Sequence, residues 1–296
     1  MNPKDNNLSS LLKKIILSKQ KEELNVFLCG KKSTEGDSLR ESIDNALSKY
    51  SRINVLYPEW LFANLLEQKK SDLMTLESKL ARDVDKIVVP LESIGTICQL
   101  GSFVMNEDIR GKLIIINDEK YKNETSFINK GPIRLIKQSS LGEVIFIKFD
   151  NKDEVTTKIE NKFKFTHSSK GGGLDFSNLF TLTYLIGLII LIYYPIGKRY
   201  LEYLIRQFSQ GIDVNLIDVA IQILIKKGQI SSDTSEKEEI FSMTAKGIEY
   251  FECSFKQMNS LKLYYKIRNI SLWTKSSNRY KFNVRKERAR LLEIRE

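Results

Sequence analysis

Val88-Val89-Pro90-Leu91-Glu92-Ser93-Ile94-Gly95-Thr96-Ile97-Cys98-Gln99-Leu100-Gly101-Ser102-Phe103 carries the strand–loop–helix pattern of an α/β domain. An apolar strand runs to Pro90, a short loop turns at Gly95, and Thr96 is expected to open a helix. In a doubly wound α/β domain, ligands bind beyond the carboxyl ends of the strands and against a helix N-terminus. Gln99, read as part of the first turn, projects towards that crevice. Its being an amide instead of an acid is the main puzzle of the sequence.

Outward from this point, residues 24–150 alternate between strand and helix signals. Strands are expected at Leu24–Leu28, Ile53–Tyr57, Lys86–Val89, Lys112–Asn117 and Val144–Phe149. Helices are expected at Leu39–Tyr50, through Trp60, Leu61, Phe62 and Leu65, at Leu73–Val84, at Thr96–Met105 and at Pro132–Lys137, with a polar loop over Asp118–Lys130. Strands that are apolar throughout and separated by helices imply a parallel sheet covered on both faces. Before them, Leu11, Leu12, Ile15 and Ile16, interrupted by Lys13 and Lys14, read as one amphipathic helix over 8–20 and not as a signal peptide.

The expected organisation is an α/β domain over 1–150, a linker over 151–173 ending in Gly171-Gly172-Gly173, and a mostly helical domain over 174–296. Leu179 to Ile196 carries no charge and meets the length threshold for a membrane span. A single span would put its flanking domains on opposite sides of a membrane, so a buried helix breaking near Pro195-Ile196-Gly197 is the better reading. Beyond it come a helix (Lys198–Phe208), a turn at Gly211, a second helix (Leu216–Lys227), a hairpin through Gln229-Ile230-Ser231 and Glu239–Met243, and a helix opened by Thr244-Ala245-Lys246-Gly247. That order resembles a winged helix-turn-helix, which binds protein as often as DNA.

The formal net charge is +10, and after Cys253 twelve lysines and arginines face only Glu287, Glu293 and Glu296. With Tyr264, Tyr265, Trp273 and Tyr280 interleaved, this basic end fits a nucleic-acid or ribonucleoprotein surface, the plainer alternative being a solvated helical tail. Lys226, Lys227, Lys246, Arg279, Arg285, Lys286, Arg288 and Arg290 are the candidate contacts. Three widely spaced cysteines, Cys29, Cys98 and Cys253, argue for a reducing compartment such as the cytoplasm. One histidine, His167, and no cysteine pair nearly exclude a zinc site or a Ser-His-Asp triad, and no metal or cofactor is called for.

The first domain resembles the nucleoside 2-deoxyribosyltransferases (flavodoxin-like or Rossmann-like) through Val26-Phe27-Leu28-Cys29-Gly30, Tyr57-Pro58, Asp85-Lys86-Ile87-Val88-Val89 and Gly95-Thr96-x-x-Gln99-Leu100-Gly101. Phe103, Asn106-Glu107, Arg110-x-Lys112-Leu113-Ile114 and Ser126 to Leu135 carry a closer resemblance, to the effectors encoded beside retron reverse transcriptases. Those pair this domain with a C-terminal winged helix. The resemblance implies a toxic antiphage enzyme that hydrolyses NAD or a related nucleotide at its N-glycosidic bond. It also implies restraint by the reverse transcriptase and its RNA-linked single-stranded DNA (msDNA), and a homo-oligomer formed through the first domain.

In the transferases a glutamate stands at the position of Gln99 and attacks C1′ of the sugar, as an oxocarbenium-like transition state requires. An amide cannot carry that charge. Either the natural protein is a degenerate sensor, or glutamate has been exchanged for glutamine to disarm an enzyme; retention of everything around the site favours the exchange. Thr96-x-x-Gln99 also reads as a capping box. Cys29, Gly30, Tyr57, Ser93, Gly95, Thr96 and Asn129 form the expected substrate-binding set. Phe27 replaces a family tyrosine and Ser93 a base-reading aspartate, which points away from a plain deoxynucleoside. Glu77 reads as a surface charge and Cys98 as core. A DNA-binding regulator with a ligand-sensing first domain is the alternative from another functional class.

Overall fold

The computed structural model describes residues 3–30, 38–58, 72–139, 142–164, 166, 174–209, 211–235 and 238–277. The expected helix through Trp60, Leu61, Phe62 and Leu65, the triglycine segment and the basic residues from Arg279 onward lie outside these. Two compact units are formed, one from Ile16–Leu182 and the other from Met1–Ile15 with Thr183–Glu296.

In the first unit, five strands make a parallel sheet: β1 (Leu24–Leu28), β2 (Ile53–Leu56), β3 (Lys86–Pro90), β4 (Leu113–Asp118) and β5 (Glu143–Ile147), in the order β2-β1-β3-β4-β5. Five of five residues in β1 and six of six in β4 are buried, as strands covered on both faces must be. Side chains alternate across the sheet. Val26, Leu28, Val88, Ile114 and Ile116 join Ile43 and Leu47 of helix α2 (Leu39–Ser48) in one core. Phe27, on the opposite face, meets Phe103 of helix α4 (Ile94–Val104) edge-to-face at 5.8 Å between centroids. Helices α3 (Leu73–Asp83) and α5 (Glu107–Arg110) precede β3 and β4, and α6 (Arg134–Gln138) follows a π turn at Asn129–Ile133 and leads to β5.

The segment read as linker from residue 151 is largely a helix, α7 (Lys152–Lys164). Val155, Ile159 and Phe163 recur along one of its faces and are buried in the core with α2. Arg52 donates to the carbonyls of Phe163 (2.5 Å) and Thr166 (2.6 Å), satisfying the acceptors that a helix end leaves open. The charged residues between the apolar positions mask this stripe in the sequence. The N-terminal helix α1 also runs further than expected, over Pro3–Glu22.

Leu179–Tyr193 (α8) is apolar on every face, and Leu182, Leu185, Ile186, Leu188 and Ile190 are wholly buried. It ends before Pro195, where the break was expected. Among the described residues no helix is long and apolar enough to cross a membrane. In the second unit Tyr184 hydrogen-bonds Ser254, and Gly187 lies so close to the Phe251 ring that no Cβ would fit. Helices α9 (Lys198–Arg206) and α10 (Val214–Lys226) precede a hairpin of β7 (Ile230–Ser235) and β8 (Glu238–Met243). The short β6 (Ile196–Gly197) pairs antiparallel with β8, and α11 (Ala245–Gln257) and α12 (Leu261–Ser277) follow.

Because α7 belongs to the core, Phe163→Ala should lower unfolding free energy by about 3–5 kcal/mol in urea denaturation. A change within about 0.5 kcal/mol, typical of an exposed site, would restore the linker reading.

Candidate active site

After β1 the chain turns one way along the sheet to β2, and after β3 it turns the other way to β4. The carboxyl ends of β1 and β3 therefore border the switch-point crevice of a 2-1-3-4-5 sheet. The loop between β3 and α4 forms its floor. Here the N-cap is Ser93, three residues earlier than the expected start at Thr96. Ser93 accepts from the Thr96 backbone N–H at 3.3 Å, and the Thr96 hydroxyl accepts from the Ser93 N–H at 3.2 Å. The capping box is thus Ser93/Thr96 and not Thr96/Gln99, because Ser93 is the residue in extended conformation, with free use of its side chain. Thr96 is buried and Gly95 exposed, and both lie within the helix.

The earlier start puts Gln99 in the second turn of α4 instead of the first. Its Nε2 donates to Oε2 of Glu77 on α3 at 2.8 Å. Glu77 is only 6% exposed, so it is no surface charge. An ionised carboxylate accepts only, so the amide must turn its NH2 to it. Burial makes such a charge-assisted bond necessary to Glu77. Cys98, expected in the core, is exposed: α4 turns Leu100 and Phe103 inward, and the face carrying Ile94, Ile97 and Cys98 outward.

On the other wall, Cys29 is buried and its N–H donates to Val88 O at 2.9 Å. Gly30 has φ +136°, a conformation glycine alone adopts readily, and its carbonyl accepts from Arg40 Nη1 at 2.8 Å. The Arg40 guanidinium lies 4.1 Å from the centroid of the Tyr57 ring. Burial, and then a hydrogen bond to Asp44, push the Tyr57 hydroxyl well above the usual tyrosine pKa, so it stays protonated. Glu92 reaches the first turn of α2, where Oε2 accepts from Leu39 N–H at 3.1 Å, while Oε1 is buried and has no partner among the described residues. Asn129, in the π turn, donates through Nδ2 to the carbonyls of Tyr121 (2.7 Å) and Glu124 (2.8 Å), and its Oδ1 is buried without a partner among the described residues.

The sequence matches the family described as STM3845 retron effector protein over residues 36–232, more than half of the chain. The chain belongs to that family. Two Escherichia coli proteins are similar to this effector, both provisionally named ribosyltransferase/DNA-binding proteins. The one of retron Ec86 is 40% identical over 124 residues, 42% of this chain and 40% of the relative. The one of retron Ec73 is 36% identical over 121 residues, 39% of this chain and 38% of the relative. The matches thus span about two-fifths of those relatives' length.

Of the expected site residues, the effector brings Cys29, Gly30 and Ser93 to the ends of β1 and β3, and Tyr57 to Arg40 beside them. Gln99 faces Glu77, and Asn129 belongs to a turn that packs on α4. Arg40 and Glu92, which hydrogen-bond at the ends of β1 and α2, and Glu77, which reads as a surface charge in the sequence but pairs with Gln99, stand beside the expected set without having been part of it. Their signal was weak, since each is a charged residue of a kind usually solvated. In the second unit Lys226 and Lys246 are exposed, and Lys227 is half-buried. Thr244 Oγ1 donates to Gly228 O at 2.7 Å, tying the turn after Lys227 to the start of the helix that carries Lys246. Arg279, Arg285, Lys286, Arg288 and Arg290 lie outside the described residues.

Ser93→Ala should destabilise the effector by about 1 kcal/mol in chemical denaturation, with Ser93→Asp retaining most of the stability. Equal stability of Ser93→Ala and the parent would place the cap elsewhere.

Proposed function

We propose that the α/β unit is an N-glycosidase of NAD or a related nucleotide, working through a carboxylate at position 99, and that the Gln99 form is inert. The observation that carries this reading is the Gln99–Glu77 hydrogen bond on the helix that opens at the switch point. With glutamate at 99, two carboxyls would meet at that distance and could not both ionise, so the pair would hold one proton. The ionised member attacks C1′ as the C1′–N bond breaks. Nicotinamide leaves as a neutral base, with no proton required. Glu77, protonated, donates to the attacking carboxylate and positions it. Water then cleaves the glycosyl ester, releasing ADP-ribose, the carboxylate and a proton. The relatives' ribosyltransferase names support glycosyl chemistry of this class.

The second unit, read as a winged helix with its basic extension, docks on the retron reverse transcriptase and its RNA-linked single-stranded DNA. That assembly restrains the toxic activity in the cytoplasm until phage infection, and the α/β units associate as a homo-oligomer. A second reading follows from Gln99 itself: with no nucleophile, the α/β unit is a nucleotide sensor on a DNA-binding regulator.

The decisive measurement is NAD turnover by the Gln99→Glu protein, assembled with its partners, beside the Gln99 form. Activity should appear only with glutamate, with a bell-shaped pH profile. It rises as the carboxyl pair loses its first proton and falls as it loses the second. Glu77→Gln in that background keeps a permanent donor and should abolish the alkaline fall. If neither form cleaves NAD or any nucleoside, the glycosidase reading fails and the sensor reading stands.

For the second unit, Lys226→Glu, Lys227→Glu and Lys246→Glu combined should weaken co-purification with the reverse transcriptase and its nucleic acid. The slope of log affinity against log salt should fall by about one for each phosphate that is no longer neutralised. An unchanged slope would mark these lysines as a solvated face.

A further inference from the structure

The second unit carries an exposed face that its packing does not use. In α9, Leu201 and Ile205 are wholly buried. On the other side of the helix Arg199, Tyr200, Tyr203, Arg206 and Gln207 are all exposed. Their spacing of three and four residues puts them in one stripe along two turns. Tyr200 is 37% and Tyr203 57% exposed, and their rings are nearly parallel, 15° apart in plane with centroids separated by 6.1 Å. The Tyr193 ring meets Tyr200 edge-to-face at 6.2 Å, which holds the orientation of that ring.

Aromatic side chains exposed singly are ordinary, but a parallel pair with an arginine at each end is a defined surface. Arg199 and Arg206 stand seven residues, about 10 Å, apart along the helix, with both tyrosines between them. No acid lies in the stripe. Glu202 lies towards Lys198, whose ammonium it and Glu239 attract and which pairs with Asp218 at 2.7 Å. Glu238 is engaged at the start of the helix, where it accepts from the Arg199 backbone N–H. Successive bases of one strand are parallel to each other, as these rings are, and guanidinium groups match the phosphates that join them. Bases inside a duplex are covered by their neighbours, so the rings favour unpaired ones. A protein partner would need about 800 Å² on each side, more than two turns of helix offer.

We propose that the exposed face of α9 is a stacking platform for the unpaired bases of a single-stranded nucleic acid, with Arg199 and Arg206 holding its phosphates. The inference deepens the docking reading of the second unit, and rests on it for the source of the strand. It moves base contact from the lysines at the α10–α11 junction, which can neutralise phosphates but cannot stack, to a pair of rings on another helix.

Fluorescence anisotropy of the full-length protein with a labelled oligothymidylate of about 12 nucleotides, a length that single-strand platforms accommodate, tests this. An oligouridylate of the same length should bind as well, because stacking ignores the sugar, and a duplex of that length should bind more weakly. Tyr203→Ala should weaken single-strand binding roughly fivefold or more, and adding Tyr200→Ala should weaken it further. Tyr200→Phe and Tyr203→Phe keep the stacking face and should stay within about twofold of the parent. Arg199→Gln and Arg206→Gln should each lower the slope of log affinity against log salt by about 0.7, while the tyrosine changes leave the slope unaltered. Unchanged affinity in the double alanine variant, with its fold verified by a melting curve, would overturn the inference. So would equal binding of the duplex, or no binding of either single strand. If the double variant keeps oligonucleotide binding but loses co-purification with nuclease-treated reverse transcriptase, the stripe is a protein contact instead. Tyrosine-dependent binding of single strands by a protein that does not co-purify with the reverse transcriptase would remove the docking reading alone. Co-purification that depends on Lys226, Lys227 and Lys246, with no tyrosine-dependent binding of single strands, would remove the platform alone.

Discussion

Burial of β1 on both faces is the constraint from which the α/β unit follows. Its five residues are shielded above and below, and both of its edges are paired, to β2 on one side and β3 on the other. A strand in that position can present nothing polar except at its ends. All chemistry is therefore pushed to the rim, and the carboxyl rim is where the chain departs in opposite directions from β1 and β3. The gap between those departures is a product of connectivity, and any side chain in the loops around it becomes a wall of the crevice.

The crevice carries more charge than its burial would suggest, and each charge is held by a specific arrangement. Glu77 is buried but takes a donor from Gln99. Glu92 is bound through one oxygen to a helix N-terminus. Arg40 is shared between the Gly30 carbonyl and the Tyr57 ring, and Tyr57 is kept protonated by burial and Asp44. Buried charges of this kind contribute little net stability compared with an apolar core.

The second unit is organised by apolar packing and its polar groups are confined to element ends. Arg268 donates to the Leu191 carbonyl at 2.7 Å and lies 3.6 Å from the centroid of the Tyr194 ring, closing the end of α8. Thr244 performs two tasks, capping α11 and fastening the turn that ends α10 by donating to Gly228 O. The exposed lysines at that junction are thereby held on rigid element ends, where a charged surface gains most from a fixed geometry.

Local pattern determined the strands, because short apolar runs rich in isoleucine and valine, such as Leu113 to Ile116, recur between helix-length segments as doubly covered strands do. It likewise determined the alternation that makes the sheet parallel, the halt of α8 before Pro195, and the hairpin between two helices. Tertiary structure decided what the side chains at the rim do. Gln99 and Glu77 are 22 residues apart and Glu92 and Leu39 are 53 apart, so no local spacing could pair them. The face of α4 bearing Cys98 is apolar, yet it is left exposed because the sheet takes the opposite face. The stripe Val155, Ile159, Phe163 was present in the sequence, but its meaning depended on α2 standing across from it. Periodicity tells which face of an element is apolar; only the neighbours that the fold supplies decide which face is covered and which charge finds a partner.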